Sequence, residues 1–354
     1  MIITKTPLRI SFFGGGTDYP VWFNEYPGAV LATTIDKYVY ITCRYLPPFF
    51  DYHSRISYTL IELVKEIAEI KHPSVRECLK FLEIAKGVEI HVDGDLPART
   101  GLGSSSSFTV GLLHSLFALK GKMVSHAQLA QNAIHVEQDL IKENVGCQDQ
   151  ILAAHGGFNF IEFQKGSDYN IQPVTISHAR LDDLRSHLML IFTGFSRTAS
   201  EIAHDLIQSA GKKKSELTTI YNMVFSAIKI LNGAGDIADF GRLLHENWLL
   251  KRSLTNKITT PAIDEIYETA MKNGALGGKL LGAGGGGFML IFARPEQQPQ
   301  IVVGFCHFLL IGYHVRMLPG QLFTQRQCLG VVVGRLFVVI GDEMPQSQVI
   351  VESS

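Results

Sequence analysis

The first hundred residues contain short segments in which apolar and polar positions alternate. "VEIHVDGDLP", residues 88–97, puts Val88, Ile90 and Val92 on one face and polar side chains on the other, which predicts a half-buried β-strand. Upstream, "PLRISFF" leads into "GGGTDYP", and "GAVLATTIDKYVYITCRYL" is rich in β-branched and aromatic residues. This part of the chain therefore predicts several short strands interrupted by glycine.

Helical patterns follow and alternate with further apolar strands. We predict helices over residues 60–86, 215–232 and 236–273, and in "FTVGLLHSLFALKG", "SHAQLAQNAIHVEQDLIKEN" and "TASEIAHDLIQSAG". Gly121 closes the first of these quoted helices, and Ser125 caps the second. Strands are predicted for "GGFNFIEF", "LMLIFTGFS" and "FMLIF". The mixture predicts an α+β protein.

A polar stretch, "SHARLDDLRSH", separates two of the apolar strands. Because 354 residues suffice for two domains, we place a boundary there, which gives domains of residues 1–185 and 186–354. From about residue 295 the chain has apolar runs without clear periodicity and predicts neither a regular helix nor a regular strand. We expect an atypical ending and hypothesise that it is divergent or frame-shifted.

Composition and charge narrow the classes of partner. Lys plus Arg number 32 and Asp plus Glu 33, so the overall charge gives no reason to expect nucleic acid or an anionic membrane as a partner. The five cysteines are scattered without metal-ligand spacing, as is typical of free thiols in a reducing compartment. We read no signal peptide and no membrane span, and therefore expect a cytoplasmic protein. The sequence leaves the oligomeric state open.

The stretch "GLGSSSS", residues 101–107, lies between a predicted strand and a predicted helix. Helix N-termini carry unpaired N–H groups and a partial positive charge, and glycines let the backbone approach an anion closely. The pattern therefore predicts a phosphate cradle, with a flexible serine-capped turn as the structural alternative. The Walker pattern is absent, and "GAGGGG" precedes a strand rather than a helix, which argues against a Rossmann site.

Three glycine-rich segments, "PLRISFFGGGTDYP", "LPARTGLGSSSS" and "KLLGAGGGG", resemble in this order the three motifs of the GHMP kinase superfamily. The resemblance covers roughly residues 1–292, and "HPSVREC", "GCQDQ" and "FTGFSRTASEIA" are most similar to its branch of heptose 7-phosphate kinases. It implies an N-terminal domain resembling ribosomal protein S5 domain 2, a ferredoxin-like C-terminal domain and an active site between them. It also implies ATP, Mg²⁺ and transfer of the γ-phosphoryl group to a sugar hydroxyl, with the anomeric hydroxyl of a heptose 7-phosphate as the expected acceptor.

The resemblance also implies roles for individual residues. Asp149 matches the superfamily's catalytic aspartate, which takes the proton of the acceptor hydroxyl, and Arg9 matches a basic residue close to it. Ser105 and Glu137 match the positions that hold Mg²⁺. The nucleotide-binding positions are Pro97, Gly101, Leu102, Gly103, Ser104, Ser105 and Ser106.

Acceptor-binding positions are spread over the chain. Asp18 matches an aspartate that holds sugar hydroxyls in the galactokinase branch. The other expected acceptor-binding residues are Gly16, Thr17, Gly284, Gly285, Arg197 and Lys251, and the two cations are candidates for a distal phosphate. Helix capping, an Asx-turn or an ordinary surface charge remains the structural alternative for the polar ones.

Three other functions share parts of this pattern. Another sugar kinase, of the fucose or galactose type, would carry all three motifs. A sugar-binding relative without catalysis would be expected to have lost Asp149 or Arg9, and both are present. A decarboxylase of the mevalonate branch fits less well, since the sugar-type "GGGTDYP" is retained.

Overall fold

The computed structural model describes residues 1–166, 168–194, 199–312, 332–333 and 348–351. Its strands are β1 (Ile2–Phe13), β2 (Gly28–Tyr45), β3 (Ser54–Ser57), β4 (Ile61–Val64), β5 (Val88–Gly94), β6 (Phe158–Phe163), β7 (Tyr169–Pro173), β8 (Leu188–Phe192), β9 (Ala275–Leu280), β10 (Phe288–Ala293), β11 (Val332–Val333) and β12 (Gln348–Val351). Its α-helices are α1 (Pro20–Phe23), α2 (Pro73–Phe81), α3 (Ser104–Leu119), α4 (His126–Ile134), α5 (Gln148–His155), α6 (His178–His187), α7 (Ala199–Ser209), α8 (Lys214–Asn232), α9 (Ala238–Leu254), α10 (Pro261–Lys272) and α11 (Gln298–Gly312).

The strands form two sheets. The first has the order β12-β1-β2-β5-β3-β4, with β6 paired to β2 and β7 to β6. The second has the order β11-β8-β10-β9, and all of its pairs are antiparallel. Strands that precede residue 187 thus build the first sheet and later strands the second, except that β12 returns to pair with β1. The polar stretch before β8 is itself a helix, α6, capped by the side chain of Ser177.

Two predicted helices were wrong. Within residues 60–86 the structure has β4, a short 3-10 turn and only then α2, which begins at Pro73. Residues 236–273 form two helices, because Thr260 caps α10 by accepting from the N–H of Ile263 and Pro261 follows as its first residue. In both segments proline marks a helix start that apolar spacing alone does not reveal.

The expectation that no regular element follows residue 295 was also wrong. α11 spans Gln298–Gly312, and the side chains of Ile301 and Phe305, one helical turn apart, are buried. Its sequence, "QPQIVVGFCHFLLIG", is apolar almost throughout, so it lacks the regularly spaced polar residues by which periodicity recognises an amphipathic helix. Within the part of the chain that the structure describes, no helix is long and apolar enough to cross a membrane.

An aromatic cluster joins the two sheets. Phe12 of β1 packs edge-on against Phe240 of α9, with ring centroids 5.5 Å apart, and Phe240 contacts Phe292 of β10 at 5.9 Å. Phe13 packs against Phe240 as well, at 5.2 Å. Burying aromatic rings of this size supplies much of the energy of such a contact. The end of β1 is thereby fixed against both α9 and the second sheet.

Candidate active site

The strongest polar contact of the candidate site joins β1 to the start of α5. Arg9 donates from Nε to Oδ1 of Asp149 and from a terminal nitrogen to Oδ2, both at 2.6 Å. Its other terminal nitrogen donates to the carbonyl of Gly101 at 2.7 Å. Arg9 is only 4% exposed, whereas the side chain of Asp149 is 23% exposed. This two-point contact fixes the orientation of the carboxylate and leaves it open to a ligand.

The predicted phosphate cradle lies against this pair. Gly101 and Gly103 both have positive φ, 80° and 73°, and α3 begins directly after them. A β-carbon on Gly103 would lie 3.1 Å from Cγ of Arg9 and 3.4 Å from Oδ2 of Asp149. The N-terminus of a sixteen-residue helix therefore begins beside Asp149, and helix N-termini favour the binding of anions.

The third glycine segment supports the cradle from the other sheet. A β-carbon on Gly101 would meet the carbonyl oxygen of Leu281 at 2.5 Å, and one on Gly282 would meet Cα of Gly101 at 2.6 Å. Gly284 and Gly285, predicted to bind the acceptor, contact Ile258, to whose carbonyl the N–H of Gly285 donates at 2.9 Å. The glycines of this segment thus serve close packing of backbone on backbone.

Glu137 provides the second carboxylate of the site. It lies in a π-helical turn, His135–Leu140, is 1% exposed, and its Oε2 accepts from Oγ of Ser106 at 2.8 Å and from Nε2 of Gln150 at 2.5 Å. Its Oε1 is buried and receives no hydrogen bond of normal geometry, although the Thr109 hydroxyl interacts with the carboxylate and helps to lower its pKa. Burial raises the pKa of Glu137 to about 7, against the opposing effect of hydrogen bonds from neighbouring side chains.

The hydroxyl beside Glu137 is not the predicted one. We expected Ser105 to act with Glu137, but Ser105 is exposed on α3 and Ser106, one residue on, faces the carboxylate. A buried carboxylate oxygen next to a serine hydroxyl is a donor set that suits Mg²⁺. Among the described residues no three His, Cys, Asp or Glu side chains form a metal-binding group. Phosphate oxygens and water would therefore have to complete the coordination of a cation here.

The turn between β1 and α1 carries Asp18. Its Oδ1 accepts from the N–H of Gly16 at 3.0 Å and its Oδ2 from Nε2 of Gln148 at 2.8 Å. Burial raises the pKa of Asp18; the Gly16 and Gln148 hydrogen bonds oppose this, and the Asp149 carboxylate adds to it. Thr17, predicted to bind the acceptor, is fully buried and donates within the fold to the carbonyls of Gly14 and Ala29.

Arg197 and Lys251 are the two cations predicted to bind a distal phosphate. Arg197 lies outside the described residues. Lys251 donates from Nζ to the carbonyls of Leu280 at 2.9 Å and Gly282 at 2.6 Å, so two of its three N–H bonds already hold the third glycine segment. Burial lowers the pKa of Lys251 to about 7, with Arg9 adding to the effect and Asp18 opposing it.

Three polar residues of the site were missed in the sequence, Gln148, Asn247 and Lys279, whereas Ser106 was predicted as a nucleotide-binding residue and not as the partner of Glu137. Gln148 adjoins Asp149 in "GCQDQ", and Lys279 opens "KLLGAGGGG", so proximity to a motif was the available signal. Lys279 and Asn247 both donate to the carbonyl of Phe12, at 2.9 and 3.5 Å. Asn247 comes from the middle of α9, where no motif marks it.

Comparison with known proteins agrees with this geometry. Residues 62–157 match the GHMP kinases N-terminal domain and residues 224–308 the GHMP kinases C-terminal domain. The chain is 30% identical over 313 residues to D-glycero-alpha-D-manno-heptose 7-phosphate kinase of Campylobacter jejuni, covering 85% of this chain and 92% of that protein.

Solved structures show the same fold. A D-glycero-D-manno-heptose 1-phosphate kinase from Bacteroides thetaiotaomicron superposes with a TM-score of 0.64 at 24% identity, covering 87% of this chain and 93% of that one. Lactococcus lactis galactokinase complexed with galactose gives a TM-score of 0.68 at 21% identity, with 88% and 91% covered. Fold and matches define the class as a phosphotransferase with two α/β domains. Within that class the chain belongs to the GHMP kinases, which confirms the family and the two-domain fold inferred from the three motifs.

Proposed function

We propose that this chain is an ATP-dependent kinase that transfers the γ-phosphoryl group to the anomeric hydroxyl of D-glycero-D-manno-heptose 7-phosphate. The product would be the 1,7-bisphosphate used in nucleotide-activated heptose synthesis. The substrate is supported by similarity to the Campylobacter jejuni heptose 7-phosphate kinase over 92% of that protein's length. The buried free cysteines Cys43, Cys78 and Cys147 favour a reducing compartment, and we propose the cytoplasm.

The observation that carries the reaction type is the Arg9–Asp149 pair beside the cradle. We infer that Asp149 accepts the proton of the acceptor hydroxyl while that oxygen forms its bond to the γ-phosphorus and the bond to the leaving ADP oxygen breaks. Arg9 holds Asp149 in place through two hydrogen bonds and adds positive charge where negative charge develops. Asp18, on the turn that follows β1, would bind hydroxyls of the sugar.

Mg²⁺ would be held by Oε1 of Glu137 and the hydroxyl of Ser106, together with phosphate oxygens. When bound, the ion neutralises phosphate charge during transfer. The buried Oε1, which receives no hydrogen bond of normal geometry, supports this assignment, because a buried carboxylate oxygen without a good donor is costly unless a cation or a proton satisfies it. The protein's own part is to hold this oxygen beside Ser106, in the first turn of the helix that follows the cradle.

A panel of acceptors tests the substrate. The purified protein is given ATP and Mg²⁺ with heptose 7-phosphate, unphosphorylated heptose, fucose or galactose, and ADP release is measured with phosphorus NMR of the product. We expect turnover to be fastest with heptose 7-phosphate and the new phosphate to appear on the anomeric carbon. Preference for fucose or galactose would assign the chain to another sugar kinase, and no turnover with any acceptor would refute the proposed function.

A further inference from the structure

One backbone carbonyl at the end of β1 receives two hydrogen bonds from the other half of the molecule. Nζ of Lys279, on β9 of the second sheet, donates to the carbonyl oxygen of Phe12 at 2.9 Å. Nδ2 of Asn247, on α9, approaches the same oxygen at 3.5 Å. Lys279 is 3% exposed, so its amine is committed to the interior. Long buried contacts of this kind fix the relative position of two elements.

A β-bulge makes the Phe12 carbonyl available. In the pairing of β1 with β2, Ser11 lies opposite Ala32 and Phe13 lies opposite Leu31, so Phe12 is an extra residue with no partner across the ladder. Bulges turn the backbone of the extra residue out of the regular hydrogen-bond pattern. The carbonyl of Phe12 therefore points to donors outside the sheet, and Lys279 supplies the better-placed one.

Phe12 lies close in the chain to the turn that carries Asp18. Only Phe13 separates Phe12 from the Gly14–Asp18 turn, and Phe13 is itself held against Phe240. A change in the position of the Phe12 carbonyl must therefore be passed to the turn. The turn ends at Asp18, whose carboxylate is fixed by Gly16 and Gln148 close to the catalytic pair.

We propose that Lys279 is a positioning residue for the acceptor: by holding the Phe12 carbonyl it sets the place of the turn that carries Asp18. The hydrogen bond of Lys279 goes to the backbone of β1 and not to the catalytic pair or the cradle. Its removal should accordingly impair use of the acceptor and leave nucleotide binding intact. The proposal rests on the proposed function only in that it requires an acceptor whose KM can be measured.

The electrostatic surroundings explain how a lysine can occupy this place. Burial, reinforced by Lys251 and Arg9, holds the pKa of Lys279 well below its usual range, and Asp18 opposes this. The hydrogen bond to the Phe12 carbonyl offsets part of the cost of burying the amine, which keeps N–H donors in either protonation state. Methionine has nearly the same length without the donor, so Lys279→Met removes the hydrogen bond with little change in packing.

The test compares steady-state kinetics of Lys279→Met with those of Lys272→Met, a matched control at the exposed end of α10. We expect Lys279→Met to raise the acceptor KM about tenfold, as the loss of one buried hydrogen bond predicts, with the ATP KM unchanged. Lys272→Met should match the wild type in both. Equal increases in both KM values, or no increase in either, would overturn the proposal.

A double-mutant cycle separates positioning from general destabilisation. Because Lys279 is proposed to act through the turn that carries Asp18, Lys279→Met should add nothing to the acceptor KM of Asp18→Asn. If the two effects multiply, Lys279 does not act through Asp18.

If Lys279→Met does not fold, Asn247→Ala replaces it and should raise only the acceptor KM, by about threefold for this weaker bond; a change in the ATP KM instead would count against the proposal. A wild-type protein that phosphorylates no sugar would refute the proposed function itself, whereas an active wild type with normal Lys279→Met kinetics would refute only this inference.

Discussion

Glu137→Gln should increase the free energy of unfolding above neutral pH. The same change should reduce the stabilisation of the folded protein by Mg²⁺ with a nucleotide. Glu137 is fully enclosed, and one of its carboxylate oxygens receives no hydrogen bond of normal geometry. Burial raises its pKa from the ordinary 4.5 to about 7. The ionised side chain is therefore unfavourable in the folded protein, as expected for a group kept for binding rather than for stability.

The sign and size of the effect follow from linkage. Between pH 4.5 and 7 the folded protein holds a proton on Glu137 that the unfolded chain has lost, so the free energy of unfolding falls as the pH rises. Each pKa unit is worth about 1.4 kcal/mol, and the rise from 4.5 to about 7 thus corresponds to about 3 kcal/mol. This loss should be complete above about pH 7.5 and absent below about pH 4.5.

The measurement is urea unfolding of the wild type and Glu137→Gln at pH 5 and pH 8, in EDTA. We expect the variant to gain about 2 to 3 kcal/mol on the wild type between the two pH values, since a small part of the loss has already occurred at pH 5. Glu265→Gln, on the exposed face of α10, controls for loss of a carboxylate and should show no such gain. Mg²⁺ with a nucleotide should then stabilise the wild type at pH 8 more than Glu137→Gln. Parallel pH profiles for the wild type and Glu137→Gln would refute the reasoning.

Three further substitutions test the remaining assignments. Asp149→Asn should lower kcat by about 10²–10⁴-fold and leave ATP affinity unchanged; normal turnover would remove Asp149 from the mechanism. Gly103→Val should abolish ATP binding, since the residue has φ of 73° and a side chain would press on Arg9; calorimetry with normal affinity would contradict the cradle. Arg197→Ala should raise the KM for heptose 7-phosphate about ten- to a hundred-fold and that for unphosphorylated heptose little, and equal effects would show that Arg197 does not bind the phosphate.

The sequence predicted the motifs better than the side-chain directions within them. The strand, glycine loop and helix around "GLGSSSS" were predicted from local rules, because glycine and helix-start chemistry act over a few residues. Which serine faces Glu137 depends on the rotation of α3 relative to a π-helical turn about thirty residues on. A π-turn shifts the phase of the side chains that follow it, and periodicity at 3.6 residues does not anticipate it.

Hydrogen bonds from side chains to backbone carbonyls escaped prediction for a different reason. Thr17 and Lys251 belong to polar stretches that suggest ligand binding, yet both donate hydrogen bonds to backbone carbonyls of the protein itself. Bulges and glycine turns leave some backbone N–H and C=O groups without a partner in a strand or helix. When these groups are buried they must be hydrogen-bonded, and nearby side chains provide the bonds. Such partners are set by tertiary packing, which no single segment encodes.

The same contacts explain why three separated glycine segments act as one site. Lys251 holds Gly282, Gly282 packs on Gly101, and the carbonyl of Gly101 accepts from Arg9, which holds Asp149. Each link is a direct contact, and Gly101 has no space for a β-carbon against Leu281. The loop around Gly101 is therefore held in place by both halves of the chain, although every residue predicted to bind the nucleotide comes from the N-terminal half. An isolated N-terminal half would keep the "GLGSSSS" sequence but lose the backbone that fixes its conformation.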